Sequence, residues 1–324
     1  MESIINVEKM SKTFKIRKRH NGALKTFFER QYDTCIAVNN ISFQIRKGEV
    51  VGFIGSNGAG KSTTIKLMTG ILQPTAGSVS VFGLDPYRDR KKVVQNMGVV
   101  FGQRSQLWWD IPVIDSFELL SKIYKVSDNQ LKERLAYFDQ YLHISAFWNK
   151  PVRQLSLGQK MRAEFVASLL HNPEIVFLDE PTIGLDIVAK KDIRKLITRL
   201  NDELGTTVIL TSHDMADIEE LAHRIIMIDN GGILIDDDIS SIKHHLGNLR
   251  TMQVTFRDPI KSLQLDNCRT TEIEEDRWEV EFDHNLITAN ILIGQIAEQY
   301  TITDLSVASP SIESIVQKLY LSEK

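Results

Sequence analysis

The chain has 324 residues, enough for about two domains at roughly 150 residues each. Hydrophobic residues make up 42% and charged residues 25%, which excludes a disordered or low-complexity chain. The net charge of −3 argues against a surface built to bind nucleic acid, and two cysteines, Cys35 and Cys268, exclude a disulfide framework or a Cys-rich zinc site.

At the start, Met1-Glu2-Ser3-Ile4-Ile5-Asn6-Val7-Glu8 lacks the basic-then-apolar order of a signal peptide. No apolar run approaches the roughly 18 residues needed to cross a bilayer, so a soluble or peripheral chain is expected. Residues 15–32 hold six Lys or Arg and one Glu, a net charge of +5, and Leu24, Phe27 and Phe28 share one helical face. This pattern predicts a short amphipathic helix near anionic lipid, with a solvated surface loop as the alternative. Strands are predicted at 49–54, 98–101, 175–178, 207–210 and 224–228, all rich in Val and Ile. Helices are predicted between them at 62–69, 116–124, 129–142, 158–170, 187–204 and 215–222. Such apolar strands indicate a parallel sheet covered by helices, an α/β class. Asp236-Asp237-Asp238 is read as a solvated turn and His244-His245 as a wet surface pair. Beyond about residue 245 the period falls to two, in Met252–Phe256, Trp278–Phe282 and 300–305, with a helix at 288–298. Residues 246–324 are therefore expected to form a small C-terminal accessory α+β domain.

Two motifs carry chemistry. Gly55-Ser56-Asn57-Gly58-Ala59-Gly60-Lys61-Ser62 fits G-x-x-x-x-G-K-[ST], follows a predicted strand and precedes a helix. The glycines let backbone N–H groups turn in around a phosphate, and the helix N-terminus adds positive charge. Lys61 is suited to the β and γ phosphates, Ser62 to Mg²⁺, and Thr63 completes the first helical turn of this ATP-binding loop. Ile175-Val176-Phe177-Leu178-Asp179-Glu180 is an apolar strand ending in two carboxylates, Asp179 suited to the Mg²⁺ shell and Glu180 to polarising the attacking water.

Leu155-Ser156-Leu157-Gly158-Gln159, ahead of that strand, resembles the signature motif of ABC-type ATPases. Asp179-Glu180-Pro181-Thr182-Ile183-Gly184-Leu185-Asp186 resembles the family's second nucleotide motif running into its D-loop. Gln103 matches the Q-loop, His213 the switch histidine, and Phe14 the aromatic that stacks on adenine. The resemblance covers about residues 4–235. It implies a P-loop NTPase fold of ABC ATPase type over 1–245, with a helical subdomain at about 104–172 and the basic insertion at about 15–36. It implies ATP hydrolysis with Glu180, His213, Gln103 and Lys61 in the catalytic set, and Mg²⁺ at Ser62, Gln103 and Asp179. It also implies a head-to-tail homodimer, or a pair with a close paralogue, in which Ser156, Gly158, Gln159 and Asp186 contribute to the partner's ATP site. The sequence departs from the pattern at Leu157, where Gly is usual, at Phe14, where Tyr is frequent, and in the insertion after Phe14.

Gln103-Arg104-Ser105-Gln106-Leu107-Trp108-Trp109-Asp110 lies where the family receives a membrane subunit, so Trp108 or Trp109 is expected to contact that partner. The closing Pro310-Ser311-Ile312-Glu313-Ser314-Ile315-Val316 resembles the ending of ATPase subunits of type-2 ABC exporters. The resemblance thus implies an ATPase subunit on the cytoplasmic face of the membrane, powering export through integral membrane permease subunits, with no nucleic-acid partner. Two competing classes stay open: a soluble ABC ATPase of translation or DNA repair, and a regulatory chain whose C-terminal domain senses a small ligand.

Overall fold

The computed structural model describes residues 3–17, 32–101, 105–212, 214–246 and 249–308. Gln103, His213, residues 18–31 with the helix expected there, and the closing segment from 309 lie outside the described residues. The chain divides into two compact units, Met1–Asp237 and Asp238–Lys324.

The first unit opens with β1 (Ser3–Arg17) and β2 (Tyr32–Arg46), joined by β4 (Ala76–Val81) in an antiparallel sheet of order β2-β1-β4. Its inner face supplies Ile5, Val7, Met10, Val38, Ile41, Phe43, Ile45, Val79 and Val81 to the core. Residues 15–17 and 32–36, assigned from sequence to the insertion, are strand: Phe14 pairs with Cys35, Ile16 with Asp33 and Arg17 with Tyr32. Thr34, Ile36 and Tyr32 favour extended backbone, and the register set deeper in the sheet carries them outward along the hairpin.

The second sheet of this unit holds β3 (Val50–Ile54), β5 (Met97–Phe101), β6 (Ile175–Asp179), β7 (Thr207–Thr211), β8 (Arg224–Asp229) and β9 (Gly232–Asp238), in the order β5-β6-β7-β3-β8-β9. The pairings from β5 through β8 are parallel, as the apolar strands required. Asp236-Asp237-Asp238 is not a turn: it ends β9, where Asp236 takes Arg224 Nε at 2.5 Å and Nη2 at 2.7 Å, so a charge pair holds the acidic run extended.

Helices α1 (Lys61–Met68), α2 (Val113–Ile123), α3 (Asp128–Leu142), α4 (Leu157–Leu169), α5 (Ile187–Leu204) and α6 (Met215–Leu221) fill the intervals. Those of α2 to α4 bury Phe117, Leu135, Phe138 and Phe165. No helix among the described residues is long and apolar enough to cross a membrane.

The second unit contains α7 (Ile239–Leu246) and an antiparallel sheet of β10 (Leu249–Phe256), β11 (Cys268–Glu274), β12 (Arg277–Asp283) and β13 (Ile302–Ala308), in the order β11-β12-β10-β13. Met252, Val254, Phe256, Trp278, Val280 and Phe282 form a core with Leu292 and Ile296 of α8 (Ala289–Gln299). Strand β11 carries no strand signal in the sequence: it is an edge strand, almost wholly exposed, and shows no apolar alternation.

Candidate nucleotide site

Strand β3 is buried along its whole length and delivers the chain to a loop at Gly55. The loop turns tightly between neighbours. A Cβ at Gly60 would lie 2.4 Å from the Ala37 carbonyl oxygen, and one at Gly55 would lie 2.2 Å from that of Ile228. With φ at 113°, Gly60 also sits where a side chain is strained. Ser56, Asn57 and Gly58 form the exposed rim, Ala59 is buried, and Ser62 and Thr63 open α1 beyond it. Lys61 is only 7% exposed, and its Nζ donates to the carbonyls of Gly55 at 2.7 Å and Ser56 at 3.1 Å. Burial pushes the Lys61 ammonium below the usual lysine value, opposed by the nearby carboxylates of Glu180 and Asp179. The phosphate loop and the two carboxylates predicted from sequence therefore come together around one cation.

Asp179 ends β6 and accepts from Thr211 Oγ1 at 2.8 Å. The Glu180 N–H in turn donates to Thr211 O at 3.2 Å and Oγ1 at 3.1 Å. Glu180 has φ of 56°, a left-handed conformation that costs a non-glycine residue roughly 1–3 kcal/mol and persists where surroundings over-determine it. Thr211, buried at the end of β7, supplies that constraint. Thr211 is not legible in the sequence, because a lone threonine ending an apolar strand carries no separate signal.

The signature residues form a second group. Ser156 caps α4 by accepting from Gln159 N–H at 3.2 Å, while Gln159 Oε1 accepts from Ser156 N–H at 3.1 Å. Both side chains thus set the helix start, leaving Ser156 and Leu157 exposed. Leu157 lies against the D-loop: a Cβ at Gly184 would stand 2.8 Å from Leu157 Cδ2, and one at Gly158 would stand 3.7 Å from Ala189 Cβ. Asp186, exposed, caps α5 by accepting from Ala189 N–H at 2.8 Å. These bonds stay within the signature and D-loop group and do not reach the phosphate loop.

Phe14 is 36% exposed on β1 with Lys12 Nζ 5.4 Å from its ring centre. The register Lys12↔Val38 and Phe14↔Cys35 brackets Ala37, whose carbonyl abuts Gly60, so the aromatic and the phosphate loop share one neighbourhood. After Gln103, the chain is gripped by Glu164 of α4, which takes the Ser105 hydroxyl and the Gln106 N–H, the latter at 3.0 Å. Burial raises the Glu164 carboxyl above its ordinary value. Trp108 and Trp109 are both exposed, and Lys160 Nζ stands 5.2 Å from the Trp109 ring.

A family model described as ABC transporter matches residues 38–183. The linearmycin resistance ATP-binding protein LnrL of Bacillus subtilis (strain 168) is 29% identical over 299 residues, spanning 90% of this chain and 96% of that one. ABC transporter ATP-binding protein NatA of the same organism is 31% identical over 206 residues, 64% of this chain and 83% of that one. An ATP-binding cassette solved as a dimer in a post-hydrolysis state, bound to ADP and Pi, superposes with a TM-score of 0.61 at 26% identity, over 72% of this chain and 98% of that one. The motifs, the folded cluster around Lys61 and these relatives converge: the chain belongs to the ABC transporter family, as one of its ATP-binding, ATP-hydrolysing subunits.

Proposed function

We propose that the chain powers an exporter through separate membrane permease subunits, with Mg-ATP bound at Lys61 and the two carboxylates beside it. The observation that carries this reading is the single cluster of phosphate loop, buried Lys61, Asp179 and Glu180. A cradle that excludes side chains at Gly55 and Gly60, with a cation inside it, fits a triphosphate. Ser62 and Asp179 offer the hard oxygen ligands that suit Mg²⁺, with Gln103 assigned to the same shell. When bound, the ion neutralises charge on the phosphates. Lys61 orients the β and γ phosphates, Phe14 stacks on the adenine, and Glu180 takes the proton of the attacking water, with His213 and Gln103 completing the catalytic set.

The same reading makes the working unit a dimer of this chain or of a close paralogue. Leu157, Ile183, Ile187 and Val188 are all at least half exposed around the signature and D-loop, an apolar area suited to a second ATPase subunit. Ser156, Gly158, Gln159 and Asp186 then face the partner's ATP, and tighter ATP binding by the closed dimer is what moves the permease. Trp108 or Trp109 is the proposed permease contact, with the chain on the cytoplasmic face of the membrane. The division into a 1–245 ATPase domain and a 246–324 accessory domain belongs to this reading.

Export is favoured by the names of relatives, linearmycin resistance for LnrL and bacitracin transport for BcrA of Bacillus licheniformis, the latter 28% identical over 241 residues. The test is to tag the Glu180→Gln form in its own host, trap it with Mg-ATP, and identify what copurifies from detergent-solubilised membranes. Polytopic membrane proteins are the expected catch. Recovery only from the soluble fraction, with ribosomes or nucleic acid, would overturn the transport reading.

A further inference from the structure

Asp217 lies on α6 with no exposed surface, outside every motif the nucleotide site uses. Its carboxylate gathers four donors from three places in the chain. Oδ2 accepts from Thr182 Oγ1, in the D-loop two residues beyond Glu180, and from Ser212 Oγ at 3.0 Å, immediately before position 213. Oδ1 accepts from Arg194 of α5, through Nε at 2.6 Å and through Nη2. Arg194 is held in turn by Glu220 at 2.7 Å, while neighbouring Lys190 pairs with Asp214 at 2.7 Å. A fully buried carboxylate is tolerable only when a counter-charge and hydrogen bonds satisfy it, and here each oxygen has two donors. The two hydroxyl donors do not come from one element: one follows the residue assigned as base, and the other precedes the position of the switch histidine.

Glu180 itself is held at an unfavourable φ by Thr211, one residue before Ser212. The backbone on both sides of this constraint thus returns to the same carboxylate. We propose that Asp217 is a positioning residue for ATP hydrolysis, tying the loop after Glu180 to the segment entering position 213 so that the two stay in register. Arg194 anchors the carboxylate, and Thr182 and Ser212 are the hands it holds. The inference rests on Glu180 being the general base.

The test uses the purified full chain and compares Thr182→Val, Ser212→Ala, the pair of them, Asp217→Asn and Glu180→Gln. The hydroxyl pair and Asp217→Asn are each expected to lower kcat at least tenfold, while ATP affinity, read with a fluorescent analogue, stays within twofold. Adding Asp217→Asn to the hydroxyl pair should lower kcat less than threefold further, because all three act through one linkage. Thr182→Ser, which keeps the donor, should recover most of the loss caused by Thr182→Val. Wild-type kcat in the hydroxyl variants, with Asp217→Asn changing only Tm, would reduce Asp217 to a fold-stabilising residue. If Asp217→Asn does not fold, the hydroxyl pair decides by itself. A Glu180→Gln form that turns over near the wild-type rate would instead remove the base assignment, whereas its inactivity beside fully active hydroxyl variants would sink the positioning role alone.

Discussion

At the residue scale, the phosphate loop separates two reasons for glycine. At Gly58 a Cβ meets nothing within 4 Å, so only its φ of 83° opposes a side chain. At Gly60 the φ of 113° is compounded by the Ala37 carbonyl at 2.4 Å from any Cβ. Gly60→Ala should therefore cost about 2 kcal/mol more than Gly58→Ala, because backbone must shift as well as strain. Urea midpoints of the two variants would measure the difference, and equal midpoints would mean the loop relaxes freely. The pattern G-x-x-x-x-G-K-S is legible in the sequence, but this ranking is not, since Ala37 reaches the loop from a different strand. Leu157 gives a similar lesson. In the sequence it is a departure from the family's glycine; in the fold its side chain fills the space beside Gly184, so signature and D-loop touch through it.

At the element scale, α4 is locked at both ends. Its start is the Ser156–Gln159 capping box, a pattern visible in the sequence and worth about 1 kcal/mol. Past its end, His171 Nε2 donates to the Met97 carbonyl at 3.0 Å, and the ring stacks on Tyr124 at 4.0 Å. His171 Nδ1 is buried with no hydrogen-bond partner among the described residues, so protonation would add a donor with nowhere to go. Burial, reinforced by the nearby Arg134 charge, brings the His171 pKa from 6.5 down to about 4. The unfolded chain consequently takes up this proton first, and stability falls as pH drops from 6.5 toward 4. Between pH 7 and pH 5 this one group should remove about 2 kcal/mol. His171→Phe keeps the stacking but cannot titrate, so its urea midpoint should change less over that interval than the wild type's. An unchanged pH dependence would show that the ring is solvated in the folded state. None of this was legible beforehand, because a histidine after a helix has no sequence mark distinguishing a buried ring from a wet one. The same holds for β1 and β2, whose wet face and register shifts blur the alternation that revealed the second unit's strands.

At the scale of the whole molecule, the phosphate loop forms its cluster within one chain, while the signature and D-loop residues present an exposed apolar area of their own, and the capping bonds of Ser156, Gln159 and Asp186 stay outside that cluster. On the proposed reading, ATP joined to both groups requires a second ATPase subunit, a copy of this chain or a close paralogue. With Mg-ATP, the Glu180→Gln form should double its mass in light scattering and return to the monomer mass when EDTA removes the metal. A monomer mass at all ATP concentrations would show that the interface needs the permease to assemble. The apolar residues Ile187 and Val188, 86% and 66% exposed, should become protected from solvent labelling in the dimer.

The α/β class, the nucleotide chemistry and the family are legible in the residues alone, because those follow from local order: an apolar strand, a glycine loop, a helix start and a pair of carboxylates at fixed spacing. The sequence also marks the change of character after residue 245 through a change of period. Folding is what puts residues 15–17 and 32–36 in the hairpin, Thr211 against Glu180, and Asp217 between the D-loop and the residue that follows β7. The physical reason is the same in each case. A phosphate loop is made by neighbours along the chain, whereas a buried hydroxyl or carboxylate takes its meaning from partners dozens of residues away, and no spacing rule records which of them folding brings within hydrogen-bond reach.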